Sequence, residues 1–146
     1  MTYTIRPLSY IDYHNQYVEL LQQGFAITPN DISIKEFTDF VGCLHKNHQI
    51  FVIEQDHIII GSITILIEQK IIHTMGKVAH IEDLIVHKSY RGNNIASMLL
   101  QYAKEYAKQN QCYKVTLNCD ASLETFYTER NGFMKRGLQM AVYQPY

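Results

Sequence analysis

Two short stretches carry residue types that can do chemistry. The first is His80-Ile81-Glu82-Asp83-Leu84-Ile85-Val86, an apolar, strand-like run holding two adjacent carboxylates. Neighbouring side chains on a strand point to opposite faces unless the strand bulges. At least one of Glu82 and Asp83 should therefore lie against protein, where an unpaired carboxylate is costly. Taken alone, the pair fits a structural ion-pair partner as readily as a substrate ligand. The second stretch is Arg91-Gly92-Asn93-Asn94-Ile95-Ala96, which follows that strand and opens a helix. A helix N-terminus presents unpaired N–H groups and the positive end of the dipole. Gly92 and Ala96 are small, and Asn94 tolerates positive φ. Residues 92–97 can thus cradle a pyrophosphate, although an ordinary turn and cap fits the hexapeptide equally well. Neither the Gly-Lys-Ser/Thr ending of a P-loop nor the three glycines of a dinucleotide fingerprint are present.

Other candidates are plainer. His73, His80 and His87 recur every seven residues. His80 and His87 would face opposite sides of a regular strand, and no Cys or carboxylate spacing completes a metal site. They are expected to be solvated or hydrogen-bonded, with no metal. Cys43, Cys112 and Cys119 are odd in number and scattered, which predicts reduced packing thiols in a cytosol rather than a disulfide framework. Phe126-Tyr127 on a short helix reads first as core.

The elements that must position these residues follow from periodicity. Thr2–Leu8 reads as a first strand, closed by Pro7. Asp12 is placed to cap a helix with Tyr13, Tyr17, Leu20 and Leu21 on one face, ended by Gly24. Thr28-Pro29-Asn30-Asp31 starts a second helix with Phe37, Phe40, Val41 and Leu44 aligned. Ile50–Glu54 and His57–Glu68 form a hairpin about Gln55-Asp56, rich in β-branched residues. A strand Lys77–Val86 leads to the clearest helix, whose stripe is Ile95, Met98, Leu99, Tyr102, Ala103 and Tyr106. A strand Tyr113–Cys119, a helix Ser122–Arg130 stopped by Asn131-Gly132, and strand material Phe133–Tyr143 complete an α/β order around one central sheet.

With 146 residues, 47% hydrophobic and 18% charged, the chain reads as a single domain, 1–146. A formal net charge of −1 provides no field for nucleic acid or an anionic membrane. No apolar run approaches the roughly 20 residues needed to cross a bilayer, and Met1–Arg6 lacks the apolar segment of a signal peptide.

"VHKSYRGNNIASMLL" resembles the acetyl-CoA motif of the GNAT superfamily of N-acetyltransferases, with Asn94 where the central glycine usually stands. "EQKIIHTMGKVAHIEDLIVHKSYRGNNIASMLL", "CYKVTLNC" and "FYTERNGF" together resemble the eukaryotic-type glucosamine-6-phosphate N-acetyltransferase family, most densely from Glu68 to Phe133. The resemblance implies a single-domain GNAT fold: a twisted, mixed, mostly antiparallel sheet flanked by helices and splayed at the acetyl-CoA site. It implies acetyl transfer from acetyl-CoA to the 2-amine of D-glucosamine 6-phosphate by direct attack, on the route to UDP-N-acetylglucosamine, in a cytoplasmic homodimer.

The resemblance also implies roles. Leu84, Ile85 and Val86 offer backbone to pantetheine, and Leu84 N–H stabilises the developing oxyanion. Arg91, Gly92, Asn93, Asn94, Ile95, Ala96 and Ser97 hold the pyrophosphate. Tyr127 sits near the cofactor sulfur and protonates or stabilises the leaving thiolate, and Asn118 belongs to the catalytic and cofactor-binding set. Gln22, Lys70, Ile71, Ile72, His73, Glu82 and Asp83 meet the sugar phosphate, and Tyr113, Lys114 and Tyr143 help complete its site, the first two from the other subunit. Three departures stand out. Asn118 replaces the acidic residue that accepts the amine proton, leaving Glu82, a water or a backbone carbonyl for that task. Tyr143 replaces a basic phosphate ligand. "FYTERNGF" is one residue longer than the family spacing. A GNAT enzyme for another amine, and a non-catalytic acetyl-CoA sensor, are the alternative readings.

Overall fold

Runs of isoleucine build the centre of the molecule. The computed structural model describes residues 2–145. Five strands form one sheet in the order β1 (Thr4–Pro7), β2 (His48–Gln55), β3 (Ile58–Gln69), β4 (Lys77–Val86) and β5 (Cys112–Thr116). β1 to β4 pair antiparallel and β5 joins β4 in parallel, so the sheet is mixed and mostly antiparallel. Ile59, Ile60, Ile63 and Ile65 on β3 are fully buried, because both faces of the sheet are covered. On one face α4 (Ile95–Gln109) packs Leu99, Leu100, Ala103 and Ala107 against Phe51, Ile63 and Ile65. On the other, α1 (Tyr17–Gln22) and α2 (Ile34–Gly42) bring Leu20 and Phe37 onto Ile50, Val52, Ile59 and Ile85. A single distorted turn, α3 (Ile72–Met75), links β3 to β4. No helix among the described residues is long and apolar enough to cross a membrane.

Local chemistry explains where elements start and turn. The hairpin turns at Asp56 (φ 52°) and His57 (φ 63°), one residue later than predicted. Two left-handed residues match the twist of the flanking strands. Ser33 caps α2: its Oγ accepts from Glu36 N at 3.1 Å, and Glu36 returns the favour by accepting from Ser33 N at 2.8 Å.

Asp12 does not cap the first helix as expected. It sits in a 3-10 turn, Tyr10–Tyr13, and α1 begins only after Gln16, whose φ is 67°. Asp12 is fully buried. It accepts from Arg6 Nη1 at 2.9 Å, Arg6 Nη2 at 2.7 Å and Ser9 N at 2.8 Å. Arg6 also donates from Nε to Glu54 at 2.9 Å, which pins β1 to β2.

The predicted final strand is absent. Residues 133–145 form no strand pairing, and Met134, Leu138, Met140 and Val142 are exposed. An extended segment gains a ladder only from a partner edge, and none of this chain's edges meets it. The short helix predicted at Ser122–Arg130 is a composite: a 3-10 turn at Ala121–Leu123, then a π-helical turn at Phe126–Arg130. Two of the three expected packing cysteines are exposed as well. Cys43 ends α2, and Cys119 lies beyond the end of β5.

Candidate active site

The acidic pair is settled by a bulge. Thr64 of β3 faces Glu82, and Ser62 faces Ile85, so three steps on β4 match two on β3. The extra residue is Asp83, at φ 50°. A bulge breaks the alternation of side chains, and both Glu82 and Asp83 are exposed. The expectation that one of them lies against protein is therefore corrected. Asp83 acts electrostatically on Tyr17, whose phenol is pushed up to about 12 by burial, with Asp83 adding and the bond from Ser62 opposing. Gly24 sits against the Ile85 side chain, where a Cβ would approach to 2.8 Å. That contact brings the end of α1, including exposed Gln22, beside the bulge.

The same strand opens a gap. β5 pairs with β4 only from Lys77 to His80 and ends at Thr116. The β5-side edge of residues 81–86, which include Leu84, Ile85 and Val86, has no strand partner among the described residues. This is the expected splay.

Beyond β4, a cleft forms where α4 begins. Arg91, Gly92, Asn94, Ile95, Ala96 and Ser97 make one wall. Gly92 (φ 85°) and Asn94 (φ 64°) are left-handed, and Asn94 is the residue from which the helix starts. A Cβ on Gly92 would meet nothing within 4 Å, so the backbone there is open to a ligand. Asn93 is not in the wall; its side chain donates back to the Tyr90 carbonyl at 3.2 Å. Val86, Tyr90, Phe126 and Arg130 close the other side.

A π-helical turn, Phe126–Arg130, carries Arg130 to the cleft. A π-turn closes its hydrogen bond over one more residue than an α-turn, i→i+5 in place of i→i+4. Asn131 donates from its side chain to the Phe126 carbonyl at 3.0 Å, and Phe133 N–H donates to the Tyr127 carbonyl at 3.1 Å. Lys104 of α4 donates to the Asn131 carbonyl, fixing the turn to the helix. Tyr127 is buried, edge-on to Phe126 at 5.0 Å and to Phe133 at 6.0 Å. Burial first, and Cys119 second, push its phenol up.

A third group lies at the base of β4 and β5. His73, Thr74 and Met75 are all left-handed, with φ from 54° to 60°. For a β-branched residue such as Thr74 this is strained. Lys70 N–H donates to the Gly76 carbonyl at 2.8 Å, and the Gln69 amide donates to Met75 O at 2.7 Å; together they hold the turn closed. His73 stacks on Tyr113 at 4.3 Å, and the Lys114 ammonium lies 5.8 Å from the same ring. Lys70 is paired with Glu68 at 3.1 Å. Ile71 and Ile72 are exposed. Asn118 is exposed past the end of β5. Tyr143 is 92% exposed on the C-terminal segment and joins none of these groups.

A model of the Acetyltransferase (GNAT) family matches residues 13–133. The chain belongs to this family. It is 34% identical over 142 residues to the glucosamine 6-phosphate N-acetyltransferase of Candida albicans, covering 94% of this chain and 93% of that one. The Dictyostelium discoideum glucosamine 6-phosphate N-acetyltransferase 1 is 31% identical over 97% and 91% of the two chains. The crystal structure of the Arabidopsis thaliana glucosamine-6-phosphate N-acetyltransferase superimposes with a TM-score of 0.92 at 29% identity, covering 98% and 99%.

In this GNAT enzyme the structure adds residues that sequence reasoning missed. Tyr90, Phe126 and Arg130 line the cleft. Charge-assisted hydrogen bonds are worth about 1.5–3 kcal/mol. Arg130→Gln is therefore expected to weaken CoA binding by roughly tenfold or more, read by titration calorimetry. An unchanged dissociation constant would remove Arg130 from the cleft's chemistry.

Proposed function

We propose that the enzyme transfers the acetyl group of acetyl-CoA to the 2-amine of D-glucosamine 6-phosphate, giving CoA and N-acetyl-D-glucosamine 6-phosphate for UDP-N-acetylglucosamine synthesis. The observation that carries this is the junction at the β4 bulge. An unpaired strand edge, two exposed carboxylates and a left-handed cradle at a 15-residue helix start meet along one strand and its extension. The names of full-length relatives point to the same sugar phosphate.

The residues divide the work. The backbone of Leu84, Ile85 and Val86 replaces a strand partner for pantetheine amides. Gly92 and Asn94 to Ser97, with Arg91 and Arg130, take the phosphates. Acetyl-CoA supplies the acetyl group as a thioester, with no metal required. Leu84 N–H faces the carbonyl oxygen as it gains charge. Glu82 and Asp83 orient the amine and hydroxyls, which brings nucleophile and thioester together. Tyr127 gives its proton to the departing thiolate. Lys70, His73 and Lys114 suit a sugar phosphate.

The active form in this reading is a cytoplasmic homodimer. The C-terminal segment supports it: Leu138, Met140 and Val142 fall on alternate positions, four residues after Met134, and all four are exposed. A second copy would cover them and bring Tyr113 and Lys114 to the other site. Free thiols at all three cysteines suit the reducing compartment.

The test is CoA release with D-glucosamine 6-phosphate against unphosphorylated glucosamine, with sedimentation at the assay concentration. Turnover that depends on the phosphate, from a dimer, is expected. Tight acetyl-CoA binding without turnover would overturn the substrate, and a fully active monomer would overturn the shared site.

A further inference from the structure

Below the bulge, three side chains on neighbouring strands form a chain that the proposed roles do not use. Glu68 Oε1 of β3 lies 2.9 Å from His80 Nε2 of β4, and His80 Nδ1 lies 3.1 Å from Thr116 Oγ1 of β5. The register puts Leu66 opposite His80 and Thr116 opposite His80 on its other side, so the chain runs across three strands. Lys70 Nζ bonds the second Glu68 oxygen at 3.1 Å. These bonds hold the Glu68 carboxyl below its ordinary range, His80 contributing most and Lys70 next. Carboxylate, imidazole and hydroxyl in this order are the arrangement in which an imidazole, held by the carboxylate, takes the proton of the hydroxyl.

The location gives the chain a task. Glu82 lies two residues from His80 on the same strand face, about 7 Å along the backbone. Asn118 lies two residues beyond Thr116. An ammonium has no lone pair, so the amine must lose a proton before it attacks, and Asn118 cannot take it. The groups facing His80 are Glu68 from β3 and Lys70 just beyond its end, Glu82 from its own strand, and Thr116 and Lys114 from β5.

We propose that Thr116, His80 and Glu68 form the proton acceptor for the substrate amine, reached through one water. This rests on the amine site at Glu82 described above. The ammonium N–H breaks and its proton passes through the water to Thr116 Oγ1. The Thr116 hydroxyl proton moves to His80 Nδ1. The resulting imidazolium is held by ionised Glu68 through Nε2–H. The amine keeps the electron pair that forms the new C–N bond. The proton later returns to solvent.

The experiment compares pH profiles of kcat for wild type, Thr116→Val, Thr116→Ser, His80→Gln and Glu82→Gln, with CoA affinity as the control for folding. Thr116→Val keeps shape and removes only the link. It is expected to lower kcat about 10²-fold or more, to move the acid limb of the profile to higher pH, where the amine loses its proton to solvent, and to leave CoA affinity unchanged; Thr116→Ser restores both. A Thr116→Val enzyme with wild-type kcat and profile overturns the relay, while the amine site stands if Glu82→Gln is still impaired. No turnover of the sugar phosphate by wild type overturns both. Nitrogen NMR of the wild-type imidazole adds a check that needs no variant. The relay requires neutral His80 to carry its proton on Nε2, and a proton on Nδ1 overturns it.

Discussion

Tyr127→Phe is expected to lower kcat by about 10²-fold or more while leaving CoA affinity near that of wild type. General acid catalysis contributes on that scale. The ring's packing survives the change, since the contacts with Phe126 and Phe133 are made by the aromatic body. Only the hydroxyl is lost. Burial raises the phenol above its ordinary value, so it remains protonated through the neutral range, as an acid must. The sign of the pH effect follows. The wild-type rate holds until the phenol ionises in strongly alkaline solution, and the Phe variant lacks that limb. Turnover unchanged by the substitution would take Tyr127 out of the mechanism.

Asp12→Ala is expected to destabilise the fold by about 3–5 kcal/mol, the usual cost of breaking a buried ion pair. Asp12 has no exposed surface and carries two Arg6 bonds and an amide bond. Its removal leaves Arg6 with Glu54 alone. The pair also sets an acid limit. Burial pushes the Asp12 carboxyl up, but the Arg6 bonds, the Ser9 amide and the Arg6 charge outweigh it and lower the value in the folded chain. The unfolded chain therefore takes up the proton first as pH falls. This contribution to stability is complete above the ordinary carboxyl range of about 3.9 and is lost as pH drops through the folded value. Urea unfolding at pH 7 and pH 3 measures both effects. A variant whose midpoint matches wild type at pH 7 would reduce the cluster to an ornament.

The sheet was legible because its strands obey simple periods: β-branched runs at β2 and β3, and a helical stripe at α4. The cradle was legible because Gly92 and Asn94 are residue types that tolerate the left-handed backbone found there. The acidic pair was read with its bulge as an option, but alternation alone could not choose. That choice depends on a two-against-three match with β3, a property of register across strands. Asp12 misled because cap and buried ion pair use the same carboxylate, and only the fold brings Arg6 to it. The segment after Phe133 has strand-like residues and no edge to pair with. The Glu68, His80 and Thr116 chain was illegible for the same reason as the bulge: its members are 12 and 36 residues apart and meet only across strands.

The unpaired edge of β4 has a consequence for the empty protein. An exposed strand edge is a template for any other strand, including one from a misfolded copy. In the proposed mechanism the edge could not be blunted with charge or proline without losing the chemistry that needs it open. A ligand lying along it, as proposed for acetyl-CoA, would act as a guard as well as a reactant. By mass action it draws the population away from forms in which the edge is bare. Cellular supply of CoA would then govern how much intact enzyme persists, in addition to how fast each molecule works.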